Sequence, residues 1–261
     1  MKILVCNDDG IHAAGLRSLC TVLIKKGYEI YVVAPDKERS ASGHSLTLHR
    51  PLRVDIIPND FFPGAKGIFA IDGTPADCVK IAINKVLDFK PDFVISGINH
   101  GPNMGSDVLY SGTVSAAMEG AIYGIKSIAL SVSQYKIKDF DEEASFVPEI
   151  LEKLNAKDFK WPSKTIFNVN LPVLPKTEVK GMALTTLGSR MYKDTYEERM
   201  DPRSRFYYWL SGDLLTSDND PESDVSKVSN GYISITPVTF EMTNYELIVA
   251  MKHIFNNNHK S

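Results

Sequence analysis

Cysteine is scarce in this 261-residue sequence, which has three: Cys6, Cys20 and Cys78. They are widely spaced, odd in number and form no C-x-x-C pair, which argues against a disulfide framework and against a thiolate zinc site. Each sits in an apolar stretch, where a buried free thiol is the expected state. An excess of one charge is missing too. The 29 Lys and Arg against 32 Asp and Glu leave a net charge of −3. No global attraction to a nucleic-acid polymer or an anionic membrane follows, so a phosphate-bearing substrate has to be attracted by a local site. Long apolar runs are absent. The opening run Ile3 to Cys6 is cut by Asn7-Asp8-Asp9, far too short for a secretory leader or a membrane span, and a reducing cytoplasm is the expected location. There is no internal repeat and no low-complexity tract. With 43% apolar and 23% charged residues, the composition is that of a soluble globular protein with one large or two small domains.

What is present is an alternation of strand and helix patterns. Ile3-Leu4-Val5-Cys6 reads as a strand buried on both faces. Residues 13–26 read as a helix with Leu16, Leu19, Cys20, Leu23 and Ile24 on its apolar face and Gly27 as its stop. Residues 30–34 are a second strand, followed by a polar loop from Lys37 to Ser45. Residues 46–72 read as extended structure with turns. Thr74 caps a helix with Pro75 in its first turn, reaching about Leu87. Residues 93–97 are another buried strand, 98–111 a long loop, 112–123 a helix and 127–132 a strand. This order predicts an α/β fold, a Rossmann-like, doubly wound and mostly parallel sheet. The second half is less regular: a helix over 142–157, strands over 165–171, 180–187, 205–210 and 231–237, and a helix over 243–256. The polar stretch 188–230 is too long for a simple loop and reads as an arm that packs on a partner chain. A Rossmann-like part over 1–135 and a C-terminal part over 136–261 that completes the sheet are expected to form one structural domain.

In open α/β sheets, ligands bind beyond the carboxyl ends of the strands. There the sequence carries Asn7-Asp8-Asp9-Gly10 after the first strand, the Ser40–Ser45 loop with Gly43 and His44 after the second, and Asn99, His100 and Asn103 after the strand at 93–97. Adjacent carboxylates are costly unless a cation neutralises them. A hard divalent ion, Mg²⁺ or Mn²⁺, fits Asp8 and Asp9, with the Ser40 hydroxyl and the Asn99 amide oxygen completing the set. The plainer reading of Asp8-Asp9, a turn with a helix cap, stands beside it. Ser111-Gly112-Thr113 opens a helix whose free N–H groups and dipole favour an anion, and Asn103 is placed to donate to the same phosphate. Ser111 as an ordinary cap is the competing reading. His44 and His100 read equally as proton carriers, substrate contacts or structural side chains. Tyr207, Tyr208 and Trp209 read as a packing surface.

Taken together, these segments resemble one family. Ile3-Leu4-Val5-Cys6-Asn7-Asp8-Asp9-Gly10 and Val33-Ala34-Pro35-Asp36-Lys37-Glu38-Arg39-Ser40 through Ser45 are similar to the opening of the SurE proteins, stationary-phase survival proteins acting as 5′/3′-nucleotidases. The similarity continues through Gly73-Thr74-Pro75-Ala76-Asp77-Cys78, the run Ser96 to Gly105, the run Tyr110 to Gly120, and Gly231 to Pro237. The resemblance implies a phosphomonoesterase acting on nucleoside 5′- and 3′-monophosphates, with short polyphosphate as a second substrate. It implies one divalent metal on Asp8, Asp9, Ser40 and Asn99, with Asp8, Asp9 and Asn99 catalytic. Asn103, Ser111, Gly112 and Thr113 would line the phosphate site, with Gly43 and His44 as further candidates for contacting the substrate or its phosphate. It also implies a homodimer or homotetramer built by exchange of C-terminal segments. Asp224 resembles a family acid without an assigned role.

Three rivals fit less well. A haloacid-dehalogenase-like phosphatase needs D-x-D after its first strand, whereas this chain has Asp8-Asp9-Gly10-Ile11. A receiver domain needs a phospho-accepting Asp at the end of a later strand and about half this length. A dinucleotide-binding module wants G-x-G-x-x-G in the first turn, where only Gly10 and Gly15 occur.

Overall fold

The computed structural model describes residues 1–215, 218 and 220–256. Strand β1 (Lys2–Cys6) is followed by helix α1 (Ala14–Lys25), β2 (Glu29–Pro35), β3 (Val54–Ile56) and β4 (Gly67–Ile71). Helix α2 (Pro75–Ile81) opens with Pro75 and a reciprocal capping box between Thr74 and Asp77, then widens into a π turn at Ala82–Val86. Next come β5 (Phe93–Asn99), α3 (Gly112–Ile122), β6 (Lys126–Val132), α4 (Asp141–Ala144), α5 (Val147–Leu154) and β7 (Thr165–Leu171). The remainder is β8 (Met182–Leu184), β9 (Met191–Met200), β10 (Phe206–Leu215), α6 (Asp224–Ser229), β11 (Ile233–Thr239) and α7 (Tyr245–Asn256).

Nine strands form one sheet in the order β3-β4-β2-β1-β5-β6-β7-β11-β8. Only the β3–β4 and β7–β11 pairs are antiparallel. The sheet is covered on both faces, as buried parallel strands require. Ile3 and Val5 of β1 enter the core layer that holds Leu16, Leu19 and Leu23 of α1 and Val147 and Ile150 of α5. Leu4 and Cys6 enter the opposite layer with Cys78 and Val79 of α2 and Ala116 of α3. That alternation is the two-residue period of a strand. Each fully buried leucine of α1 contributes about 1.5–3 kcal/mol to this docking. The expected doubly wound, mostly parallel sheet is the observed one. All three cysteines are buried and free.

The second half departs from expectation in detail. The helix expected over 142–157 breaks into α4 and α5, because Pro148 enters the first turn of α5. Much of the stretch 188–230, read as turn-rich, is a regular antiparallel ribbon in which β9 pairs with β10 from Met191–Leu215 to Met200–Phe206. The strand expected over 205–210 is the first half of β10, where Phe206-Tyr207-Tyr208-Trp209-Leu210 is an aromatic run, whereas its partner β9 is mostly polar and carries no apolar run. Tyr196, Phe206, Tyr208, Trp209 and Leu210 are all exposed. Among the described residues, no helix is long and apolar enough to cross a membrane.

Candidate active site

The sheet order reverses at β1. Its chain leaves through α1 on one face towards β2, and its other neighbour β5 leads through α3 on the opposite face. The two loops therefore part above the carboxyl ends of β1 and β5 and leave a crevice. The β1 loop is held there by its own sequence. The Asn7 amide donates to the Gly10 carbonyl at 3.0 Å and accepts from the Gly10 N–H at 3.2 Å, closing the turn under Asp8 and Asp9. Gly10 has φ +95°, and a Cβ there would stand 2.9 Å from the Lys37 backbone. Arg39 N–H donates to the Asp8 carbonyl at 2.7 Å, which draws in the loop that follows β2.

Asp8 is buried, and its Oδ1 accepts from the Thr113 hydroxyl at 2.5 Å. Burial pushes its carboxyl above the ordinary 3.8, against the hydrogen bonds of the Thr113 side chain and backbone. Asp9 is raised to about 7, first by burial and then by the Asp8 charge, despite the N–H of His100 donating to its Oδ2 at 3.2 Å. Glu38 adds a further repulsion to both. Two neighbouring carboxylates are thus held where neither is comfortable as an anion without a cation. The positive end of α3 meets this pair directly. A Cβ on Gly112 would stand 2.8 Å from Asp8 Cβ and 2.9 Å from its Oδ2, so the helix reaches the carboxylate only because residue 112 has no side chain.

Asn99 ends β5, and its Nδ2 donates to the Gly101 carbonyl at 2.8 Å. That bond leaves Oδ1 without a partner among the described residues, so the oxygen is the atom available as a ligand. Ser40 is exposed, and its hydroxyl is given to Glu38 Oε1 at 2.7 Å rather than to Asp8 or Asp9. Among the described residues, no three or more His, Cys, Asp or Glu side chains are grouped so as to hold a metal ion by themselves. The donors at the crevice are two carboxylates and neutral oxygens, a hard oxygen set suited to Mg²⁺ or Mn²⁺ rather than to zinc.

The expected phosphate contacts divide into two groups. Gly112 stands at the crevice, and its N–H has no partner among the described residues. Ser111 beside it caps α3, its Oγ accepting from Val114 N–H at 3.1 Å. Thr113 is committed to Asp8. Asn103 is buried, donating Nδ2 to Ser131 Oγ at 2.8 Å, while Asn168 and Asn170 hold its carbonyl at 2.8 and 3.0 Å. This leaves its second amide hydrogen as the one not taken by Ser131. Gly43 donates its N–H to the Tyr110 carbonyl at 3.0 Å. His44 is drawn elsewhere: its Nε2 lies 2.9 Å from Glu119 Oε2, and Glu119 also binds Lys80 Nζ at 2.8 Å. Glu119 lies seven residues beyond Gly112, about 10 Å along the helix axis, so His44 is tied well away from the α3 N-terminus. His100 likewise is engaged, its Nε2 accepting from Ile137 N–H at 3.4 Å and its ring meeting Phe140 edge-on.

The sequence reading missed Glu119, Ser42 and the pairing of Glu38 with Ser40. One signal pointed to Glu119: a lone carboxylate inside the apolar, small-residue helix Gly112–Ile122. Asp224, which had no role, is fully buried and accepts from the N–H groups of Gly105 at 3.0 Å, Gly188 at 2.8 Å and Val225 at 2.8 Å. It ties the loop before α3 to the root of the β9–β10 ribbon. The Arg190–Asp107 ion pair at 3.1 Å does the same.

Residues 3–194 match the family model described as survival protein SurE. A Synechococcus sp. protein named 5′-nucleotidase SurE is 50% identical over 97% of this chain and 96% of its own length. The protein of that name from Carboxydothermus hydrogenoformans is 49% identical over 97% and 95%. The crystal structure of the SurE protein from Aquifex aeolicus superposes with a TM-score of 0.84 at 38% identity, over 98% of this chain and all of that one. With this match running through the crevice motifs and nearly the whole chain, the protein belongs to the SurE family.

Proposed function

We propose that the protein hydrolyses nucleoside 5′-monophosphates, and 3′-monophosphates at the same site, to nucleoside and inorganic phosphate with one bound Mg²⁺ or Mn²⁺. The observation that carries the proposal is Asp8 set against the N-terminus of α3 at the sheet's switch point, with Asp9 beside it tied to the loop that follows Asn99. The names of the relatives support the substrate class.

The residues fit a hard divalent ion: Asp8, Asp9 and Asn99 Oδ1 would hold it, with Ser40 joining once its hydroxyl turns from Glu38. When bound, the ion supplies charge neutralisation for the carboxylates and acidifies a coordinated water. The chain does the rest. Thr113 fixes the Asp8 carboxylate, and the His100 N–H fixes Asp9 Oδ2, leaving Oδ1 to accept a hydrogen bond from the attacking water. The Gly112 N–H, at the positive end of α3, offers a donor to the phosphate oxygens as negative charge shifts in the in-line displacement. The P–O ester bond breaks as the water oxygen bonds to phosphorus, and the nucleoside leaves with a proton.

Large apolar side chains are exposed together on the β9–β10 ribbon, and Leu247, Ile248, Val249 and Phe255 are exposed on α7, the kind of surface that marks a protein–protein contact. They support a homodimer or homotetramer in which these segments pack on another copy. The decisive test is phosphate release by metal-stripped protein from a panel of nucleoside 5′- and 3′-monophosphates, sugar phosphates and short polyphosphate, with and without Mg²⁺ or Mn²⁺. Metal-restored release from nucleotides is expected. Release from none of them under either metal would sink the proposal.

A further inference from the structure

Ser42 was not among the residues expected to touch substrate, yet its hydroxyl is anomalous. Its Oγ is buried from solvent and has no hydrogen-bond partner among the described residues. A desolvated hydroxyl without a partner is costly, and such groups in native structures call for an explanation.

Its surroundings supply one. The point where a Cβ on Gly112 would stand lies 2.9 Å from Ser42 Oγ and 2.9 Å from Asp8 Oδ2. The orphan hydroxyl is therefore close to both the crevice carboxylate and the Gly112 N–H, which has no partner among the described residues. The loop holding it is fastened on every side. Ser45 Oγ donates to the Ser42 carbonyl at 2.8 Å, Gly43 N–H to Tyr110 O at 3.0 Å, and Thr74 Oγ1 to Ser45 O at 2.7 Å. His44 anchors the same loop to Glu119, which Lys80 holds in turn. Ser42 is thus fixed in place by bonds that use its backbone and its neighbours but leave its own hydroxyl free.

We infer that Ser42 Oγ donates a hydrogen bond to an oxygen of the substrate phosphate, in concert with the Gly112 N–H, and that the His44–Glu119–Lys80 network keeps it positioned. The inference rests on the phosphatase reading above and adds a substrate-binding residue to it. A dianionic phosphate is the ligand whose chemistry matches: it needs donors, and the positive end of a helix favours it.

The test is equilibrium binding of inorganic phosphate to the full-length, Mn²⁺-loaded protein, compared with Ser42→Ala, with Mn²⁺ affinity and urea unfolding measured on both. The expected result is phosphate binding weakened about tenfold, equivalent to about 1.4 kcal/mol. Mn²⁺ affinity should stay the same and stability should not fall, because the hydroxyl contributes no bond to the free protein. Phosphate binding equal in the two proteins overturns the role of Ser42 and leaves the phosphatase reading standing. Weakened Mn²⁺ binding with phosphate affinity unchanged also overturns it, making Ser42 a metal contact. Absence of phosphate binding by the wild type overturns the phosphatase reading and the inference together.

Discussion

Asp224 joins two parts of the chain that neither helix packing nor the sheet connects, and its removal can be worked out from its three bonds. In Asp224→Ala the N–H groups of Gly105, Gly188 and Val225 lose their acceptor. Val225 is adjacent in the chain and can turn to water with α6. Gly105 and Gly188 face each other across the buried site, where the orphaned donors have no substitute. At about 1–3 kcal/mol for each donor left unsatisfied, the loss is about 2–6 kcal/mol, a large share of the total stability of a domain. Asp224→Asn keeps one oxygen acceptor but sets an amide N–H₂ against one of the N–H groups, so its loss falls between wild type and Ala. Urea unfolding measures both, and amide hydrogen exchange should quicken at Gly105 and Gly188 in the Ala variant. Because Gly105 leads through the 105–109 turn into α3, phosphate release should fall as well. An Ala variant within about 0.5 kcal/mol of wild type, the range of ordinary surface substitutions, with unchanged exchange at both glycines, would refute the tether.

Asp8→Asn is expected to abolish metal-dependent turnover while circular dichroism and the unfolding midpoint show the fold kept; full activity would remove Asp8 from the metal site. Gly112→Ala drives a Cβ to 2.8 Å from Asp8 Cβ, and the shift this forces at the reacting groups should lower kcat about 10²-fold, read by phosphate release at saturating nucleotide. For Glu119, burial works to raise its carboxyl, but hydrogen bonds from His44 and Lys80 outweigh this and hold it below the ordinary 4.5. Its folded value is thus depressed, so its stabilising contribution is complete above pH 4.5 and is lost as pH falls through the lower folded value. Urea midpoints measured over that acid range should fall less steeply in Glu119→Gln than in wild type. Light scattering should give a mass that is a multiple of the 29.0 kDa chain, and Ile248→Asp, on the exposed face of α7, should lower it.

Much of the site was legible because the relevant physics is local. A four-residue apolar run closed by Asn7-Asp8-Asp9-Gly10 reads as a buried strand ending in a polar turn because it is too short for a helix, and the βα alternation brings its end beside that of β5. The Gly10 turn and the Ser111 cap follow from backbone geometry a few residues wide. The helix split at Pro148 has a local cause, the missing N–H of proline, that the apolar period over 142–157 masks. The β10 half of the ribbon is marked by its aromatic run, but β9 is polar and exposed, and its pairing with β10 rather than its own composition makes it a strand.

The sequence by itself determined the fold class, the strand ends that face the crevice and the residue types gathered there, since hydrophobic period and turn chemistry are properties of short segments. Only the tertiary structure decided how those residues are used. Thr113 lies 105 positions from the Asp8 it binds, His44 75 positions from Glu119, and Asp224 119 positions from Gly105. A polar side chain is assigned its partner by what the folded backbone sets within about 3 Å of it. That is why Thr113 and His44 turned out to be held by carboxylates of the protein itself, while Ser42 was left with a hydroxyl to give.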